Sequence, residues 1–265
     1  MSGFDKDWLT LREPADRDAR SPSLLQSFNR YISSAPSSRT ILDIGCGTGS
    51  TYRTLAPALP DATWKLLDYE ATLLEEAKRQ IGEKDSVEFL CRNLNQLDDA
   101  MLDGVSMVTA SALFDLCSAQ FSDRFAAQLV GRNIGLYAAL NYDGQMQWTV
   151  RHPLDEQVVE AFNRHQHFDK GFGPALGPDA TDHLSSLFEA SGFSVSVATS
   201  PWQMRGDMAE LQMAFLAGLK RPILEIGNIE EAAFSEWLDF RLSQIGSDDS
   251  VCIVGHTDLL ALPNR

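Results

Sequence analysis

The chain is poor in cysteine and has no paired thiols: Cys46, Cys91, Cys117 and Cys252 are spread over 265 residues without a C-x-x-C spacing. That spacing gives no disulfide framework and no zinc site; it predicts four small buried hydrophobes in a reducing compartment. Positive charge is also scarce, with 22 Lys and Arg against 37 Asp and Glu and a net charge of −15. Such a balance disfavours nucleic-acid phosphates and anionic lipid as partners. No apolar run approaches membrane-spanning length, and the opening residues Met1 to Trp8 contain no apolar signal region. The expectation is a soluble cytoplasmic protein. Internal repeats, low-complexity tracts and a clear domain break are absent too. What remains, 44% hydrophobic and 22% charged residues, suits one large globular domain carrying insertions.

The most informative stretch is Thr40-Ile-Leu-Asp-Ile-Gly-Cys-Gly-Thr-Gly-Ser50. Ile41 to Ile44 reads as a buried strand, and Ser50 or Thr51 is placed to cap a helix. Between them Gly45, Gly47 and Gly49 mark backbone that turns sharply and approaches something closely. The spacing is G-x-G-x-G, whereas a dinucleotide fingerprint is G-x-G-x-x-G. Asp43, two positions before the first glycine, is a poor neighbour for a pyrophosphate and a good one for a cation. A second strand, Trp64 to Asp68, ends in an acid nineteen residues after Gly49, where a doubly wound nucleotide site places the carboxylate for ribose hydroxyls. An acid at a strand end also serves simply as a helix cap.

The stretch closely resembles the first motif of the class I S-adenosylmethionine (SAM) methyltransferases, (D/E)-x-G-x-G-x-G. The resemblance covers about residues 40–145 by motif and reaches 265 by element order. It implies a doubly wound, mostly parallel seven-stranded α/β sheet of the Rossmann-like methyltransferase fold. SAM is the implied cofactor, held by Asp43, Gly45, Cys46, Gly47, Gly49 and Asp68, with Tyr69 against the adenine. Asn93-Leu94 stand where many members have Asp-Leu, and an asparagine carbonyl also accepts from the adenine amino group. Ser111 and Ala112, at the end of the fourth strand, fall near the methionine part, and Asp115 near the acceptor. Residues 1–38 are expected to form a helical lid in which Arg12, Arg17 or Arg20 reaches the SAM carboxylate; Arg20 is the candidate. The competing reading of Arg12 to Arg20 is a solvated charged connector.

The alternation of strands and helices up to residue 145 implies a parallel sheet with helices on both faces. Strands are expected at 41–44, 64–68, 87–90, 105–111, 134–140, 193–199 and 251–256, and two helices within 207–246. Residues 145–180, rich in polar and aromatic side chains, read as an acceptor-recognition insertion. Trp148 and Phe168 within it are candidate lining residues, as is Trp202 at the end of the sixth strand, where core packing is the competing reading; His165, His167 or Asp169 is the candidate base. The equally direct reading is an exposed polar helix face. No third ligand accompanies His165 and His167, so no metal is expected. The base-methylation signatures are missing after the fourth strand, which agrees with the charge. The expected activity is therefore methyl transfer to oxygen or nitrogen of a small molecule. The alternatives are a nicotinamide-dependent oxidoreductase and a SAM-binding protein without turnover.

Overall fold

The computed structural model describes residues 5–34, 39–96 and 99–264. Met1 to Phe4, part of the leader reading, and residues 35–38 of the expected lid lie outside the described residues. Among those described, no helix is long and apolar enough to cross a membrane.

Among the described residues eight strands form one sheet: β1 (Thr40–Ile44), β2 (Thr63–Asp68), β3 (Val87–Cys91), β4 (Val105–Ser111), β5 (Gly135–Trp148), β6 (Phe193–Thr199), β7 (Trp202–Met204) and β8 (Cys252–Pro263). Their order is β3-β2-β1-β4-β5-β8-β6, with β7 added on β8. The strands from β1 to β5 pair in parallel, and β8 runs antiparallel to β5, β6 and β7. Strand order reverses between β1 and β4, which opens a crevice at their carboxyl ends.

Side chains alternate across the sheet with the two-residue period of a strand. Leu42, Ile44, Val108, Ala110, Leu136 and Ala138 pack into one core with helices α5 (Ala119–Gly131) and α7 (Ala180–Ala190). Ile41, Met107, Tyr137 and Ala139 pack on the other face against α2 (Pro22–Ser33), α3 (Ser50–Leu55) and α4 (Ala71–Ile81). A third core joins α1 (Lys6–Ala19), α6 (Asp155–Gln166), α8 (Ala209–Gly218), α9 (Lys220–Ile226) and α10 (Glu231–Gln244) to the far halves of β5 and β8.

Four details differ from the sequence expectation. Cys91 is exposed, while the other three cysteines are buried. The fifth strand does not stop at Leu140 but bends there and runs to Trp148, so the boundary placed at 145 falls inside a strand. The segment 207–246 holds three helices, because Pro222 sits in the first turn of α9, where a missing N–H costs nothing. The three-residue β7 is an eighth strand.

Candidate functional site

All three glycines after β1 have positive φ, +60° at Gly45, +53° at Gly47 and +82° at Gly49, a backbone that other residues enter only under strain. The loop is also crowded: a Cβ on Gly47 would stand 3.1 Å from Leu9 of α1, and one on Gly45 would stand 3.3 Å from Leu113. Asp68, at the end of β2, ties the loop down by accepting the Gly47 N–H at 2.8 Å and the Glu70 N–H at 3.0 Å. Burial raises its pKa, against the pull of those backbone donors.

Asp43 lies beneath this loop, 1% exposed. Thr109 on neighbouring β4 donates to its Oδ1 at 2.7 Å, and its Oδ2 has no partner. Burial pushes the carboxyl up to about 7, against the hydrogen bond from Thr109 and the charge of Arg20.

Arg20 ends α1 as its C-cap and turns inward, 3% exposed. Its Nη2 donates to Ser111 Oγ at 3.0 Å and to Thr51 Oγ1 at 3.3 Å. Its Nε and Nη1 are buried without a partner. Burial works to lower its pKa, but Tyr137, Asp258 and Asp16 together raise it, so the charge is kept. The adjoining Asp258 on β8 is fully buried and accepts four bonds, from Ser21 N, Tyr137 OH, Leu140 N and Ser200 Oγ. It thereby fixes the start of α2 and the bend in β5.

That bend is built at Leu140, whose φ is +55°, and Ala112 after β4 has φ +49°. Left-handed backbone at residues with a Cβ costs free energy and gathers at working sites. Beyond the bend the chain presents Asn141, its Oδ1 buried and unpaired, and Tyr142, which donates to Asn163 at 2.8 Å. The Tyr142 main-chain N–H engages Asp115, whose Oδ1 is buried and unpaired and whose carboxyl burial pushes up to about 6. His256 on β8 pairs in register with Tyr142 and lies 4.9 Å from the Trp202 ring. Burial, with the charge of Arg12, lowers His256 to about 3, so it is neutral. Arg12 of α1 stacks over Trp202 at 4.9 Å and is bound to Asp16 through two bonds of 2.8 and 3.1 Å. Trp202 Nε1 donates to the same Asp16 at 3.0 Å.

The glycine loop, Asp43, Asp68, Arg20, Ser111 and Ala112 thus converge at the carboxyl ends of β1, β2 and β4. Cys46 lies buried within the loop, Leu94 is buried, and Trp202 and Asp115 lie toward β5 and β8. The remaining candidate residues have the following surroundings. Tyr69 is 44% exposed after β2, and Asn93 spends its Oδ1 on the Asn95 N–H of its own turn. Trp148 is a correction: it is core, edge-on to Trp237 at 5.5 Å and under Arg241 at 4.6 Å, because β5 carries it past the crevice. Phe168 is 47% exposed and packs on His165. The three candidate bases are occupied structurally. His165 has Glu225 at 2.8 Å and Lys170 at 3.1 Å on its two ring nitrogens, and His167 faces the Ala175 carbonyl. Asp169 accepts the N–H groups of Gly171 and Gly173 and folds the 165–177 loop. Among the described residues no group of three His, Cys, Asp or Glu forms a metal cluster. Sequence reasoning gave no role to Asp258, Asn141, Tyr142 or His256. The available signal was an acid and a histidine inside the apolar run Val251 to Leu262.

Residues 41–130 match the family described as a methyltransferase domain. No curated protein matches the chain. Among solved structures, the cyclopropane synthase MmaA2 from Mycobacterium tuberculosis is 15% identical, with a TM-score of 0.52 over 97% of this chain and 94% of that one. The YcgJ protein from Bacillus subtilis is 14% identical, with a TM-score of 0.51 over 92% of this chain and 100% of that one. Phosphoethanolamine N-methyltransferase 2 of Haemonchus contortus, solved with phosphomonomethylethanolamine and S-adenosylhomocysteine, is 13% identical at a TM-score of 0.51. It is matched over 100% of this chain and 59% of its own. Likeness at these identities establishes the fold alone, a mostly parallel α/β sheet of the Rossmann-like methyltransferase type. Within it, residues 41–130 carry the match to the methyltransferase-domain family.

Proposed function

We propose that the chain binds SAM on the glycine loop and transfers its methyl group to oxygen or nitrogen of a small-molecule acceptor, leaving S-adenosylhomocysteine. The observation that carries this reading is the pairing of two orphaned groups: Arg20, with Nε and Nη1 unpaired, and Asp43, with Oδ2 unpaired. Buried polar atoms are ordinarily partnered, so these support a ligand that both accepts from a guanidinium and brings positive charge near a carboxylate. A ligand with a carboxylate, an ammonium and a sulfonium fits that set; a diphosphate does not fit Asp43. When bound, SAM supplies a methyl carbon already made electrophilic by its sulfonium.

The residues of this chain then act by alignment. Arg20 orients the carboxylate end, and Asp68 offers its oxygens to the ribose hydroxyls. The helices of residues 6–33 serve as the lid: Leu9 over Gly47 and Arg20 beneath it exclude water from the reacting centre. The acceptor side is the Asp115, Tyr142, His256 and Trp202 cluster, with residues 145–180 and 207–246 around it. The Haemonchus enzyme, solved with a small amine, supports a small acceptor, and the net charge of −15 disfavours nucleic acid.

The test is to incubate the purified protein with methyl-labelled SAM and the small-molecule fraction of a cell extract. Label in a small molecule, with S-adenosylhomocysteine formed in equal amount, is expected. Tight SAM binding with no such turnover would make this a binding protein, and NADH consumption would make it an oxidoreductase.

A further inference from the structure

The unpaired groups on the acceptor side have a common character, and it points to a substrate class. Asp115 stands in the short turn Phe114–Leu116 after β4, 7% exposed, with the Tyr142 N–H on its carboxylate and Oδ1 free of any partner. Across the register from Tyr142, His256 presents an unpaired Nδ1. These are a carboxylate oxygen that only accepts and one uncharged imidazole. The nearest strong donor, Arg12, is already closed on Asp16. A ligand that satisfies such a set brings hydrogens and positive charge, because burying an unpaired carboxylate is costly. Tyr142, edge-packed by Phe162 at 5.5 Å and by His256 at 6.4 Å, adds an aromatic ring beside these groups.

We propose that the acceptor is a protonated amine carried on an apolar or aromatic body, and that Asp115 is the base that frees its nitrogen. This rests on the methyl-transfer reading above. The ammonium R–NH3+ gives one proton to the Asp115 carboxylate. The freed lone pair forms the N–C bond to the methyl carbon as the S–C bond breaks. The products are R–NH2–CH3+ and S-adenosylhomocysteine, and Asp115 passes its proton to solvent when they leave. The charged and titratable groups facing Asp115 are Arg12 from α1, Lys170 from the loop after α6, Cys117 from its own turn and Tyr142 from β5. Burial lowers Lys170, and Arg12 carries its own counter-ion, so Asp115 is the group whose charge answers the ligand.

Calorimetry on the protein saturated with S-adenosylhomocysteine separates the claims, using benzylammonium and benzyl alcohol as probes of equal shape. At about pH 8 the wild type is expected to prefer benzylammonium by about 10-fold or more. Asp115→Asn is expected to lose that preference while holding S-adenosylhomocysteine as before. The wild-type preference should also fade as pH drops through about 6, where Asp115 takes up its proton. Equal affinity for the two probes, no binding of either, or a preference kept by Asp115→Asn overturns the proposal. Should that variant fail to fold, a wild-type preference constant between about pH 5 and 8 overturns it alone. Failure of the wild type to bind S-adenosylhomocysteine at all would instead bring down the methyl-transfer reading on which it rests.

Discussion

Asp43 illustrates how one buried residue links stability to ligand binding. Its carboxyl is pushed up to about 7, chiefly by burial, with Thr109 and Arg20 pulling the other way. An acid whose pKa is higher folded than unfolded binds its proton more tightly when folded. Its contribution to stability is therefore full below the unfolded value of about 4 and is lost as pH rises through about 7. Asp115, at about 6, acts in the same direction. The ligand-free protein should thus melt at lower temperature as pH is raised from about 5 to 8, and Asp43→Asn should flatten that slope. SAM, bringing positive charge beside the carboxylate, favours its ionised form. Binding just below neutral pH should therefore release a proton, measured as a dependence of calorimetric heat on the buffer's ionisation enthalpy. That dependence should shrink in Asp43→Asn; its persistence would remove Asp43 from the cation site.

At the level of elements, α1 bridges two parts of the molecule. One flank lies on the glycine loop through Leu9 and through Glu13, which takes Arg53 of α3 in two bonds of 2.8 and 2.5 Å. The other flank meets the accessory core through Arg12 and Asp16 on Trp202. The Glu13–Arg53 pair is partly solvated, so its loss should cost only about 1 kcal/mol of global stability. Glu13→Gln should nevertheless raise amide exchange along α1, and S-adenosylhomocysteine should restore protection. Unchanged α1 exchange in the variant would mean that this pair does not hold the helix down.

This division also marks what was legible in the sequence. β1, the glycine turn and β2 with Asp68 were readable because period, glycine spacing and a terminal acid are local signals. Why Arg20 turns to the glycine loop while Arg12, also buried, turns to Trp202 was not, since that depends on Ser111 and Thr51, far away in sequence. Nor was the run of β5 beyond Leu140: that left-handed residue is held by Asp258, 118 positions later. The polar 165–177 stretch misled for the opposite reason. Its histidines and Asp169 have the composition of a catalytic group, yet their partners are one another's loop and α9.

At the scale of the whole molecule, two cores clamp the sheet, and a third extends it on the acceptor side. Arg241, 2% exposed between Trp148 and Trp237 and paired with Asp155, anchors that third core. The crevice lies where the strand order reverses, between the rigid sheet and the α1 strap, and the surrounding field is negative. The central claim is that the glycine turn, Asp43 and Arg20 seat a sulfonium nucleoside. Titration of SAM, S-adenosylhomocysteine and NADH into the wild type and Arg20→Ala tests it most directly. The account predicts binding of the first two, none of NADH, and a loss of about 10- to 100-fold in the variant, the worth of a buried charged hydrogen bond. NADH bound in their place, or S-adenosylhomocysteine held equally well without the Arg20 guanidinium, would contradict it.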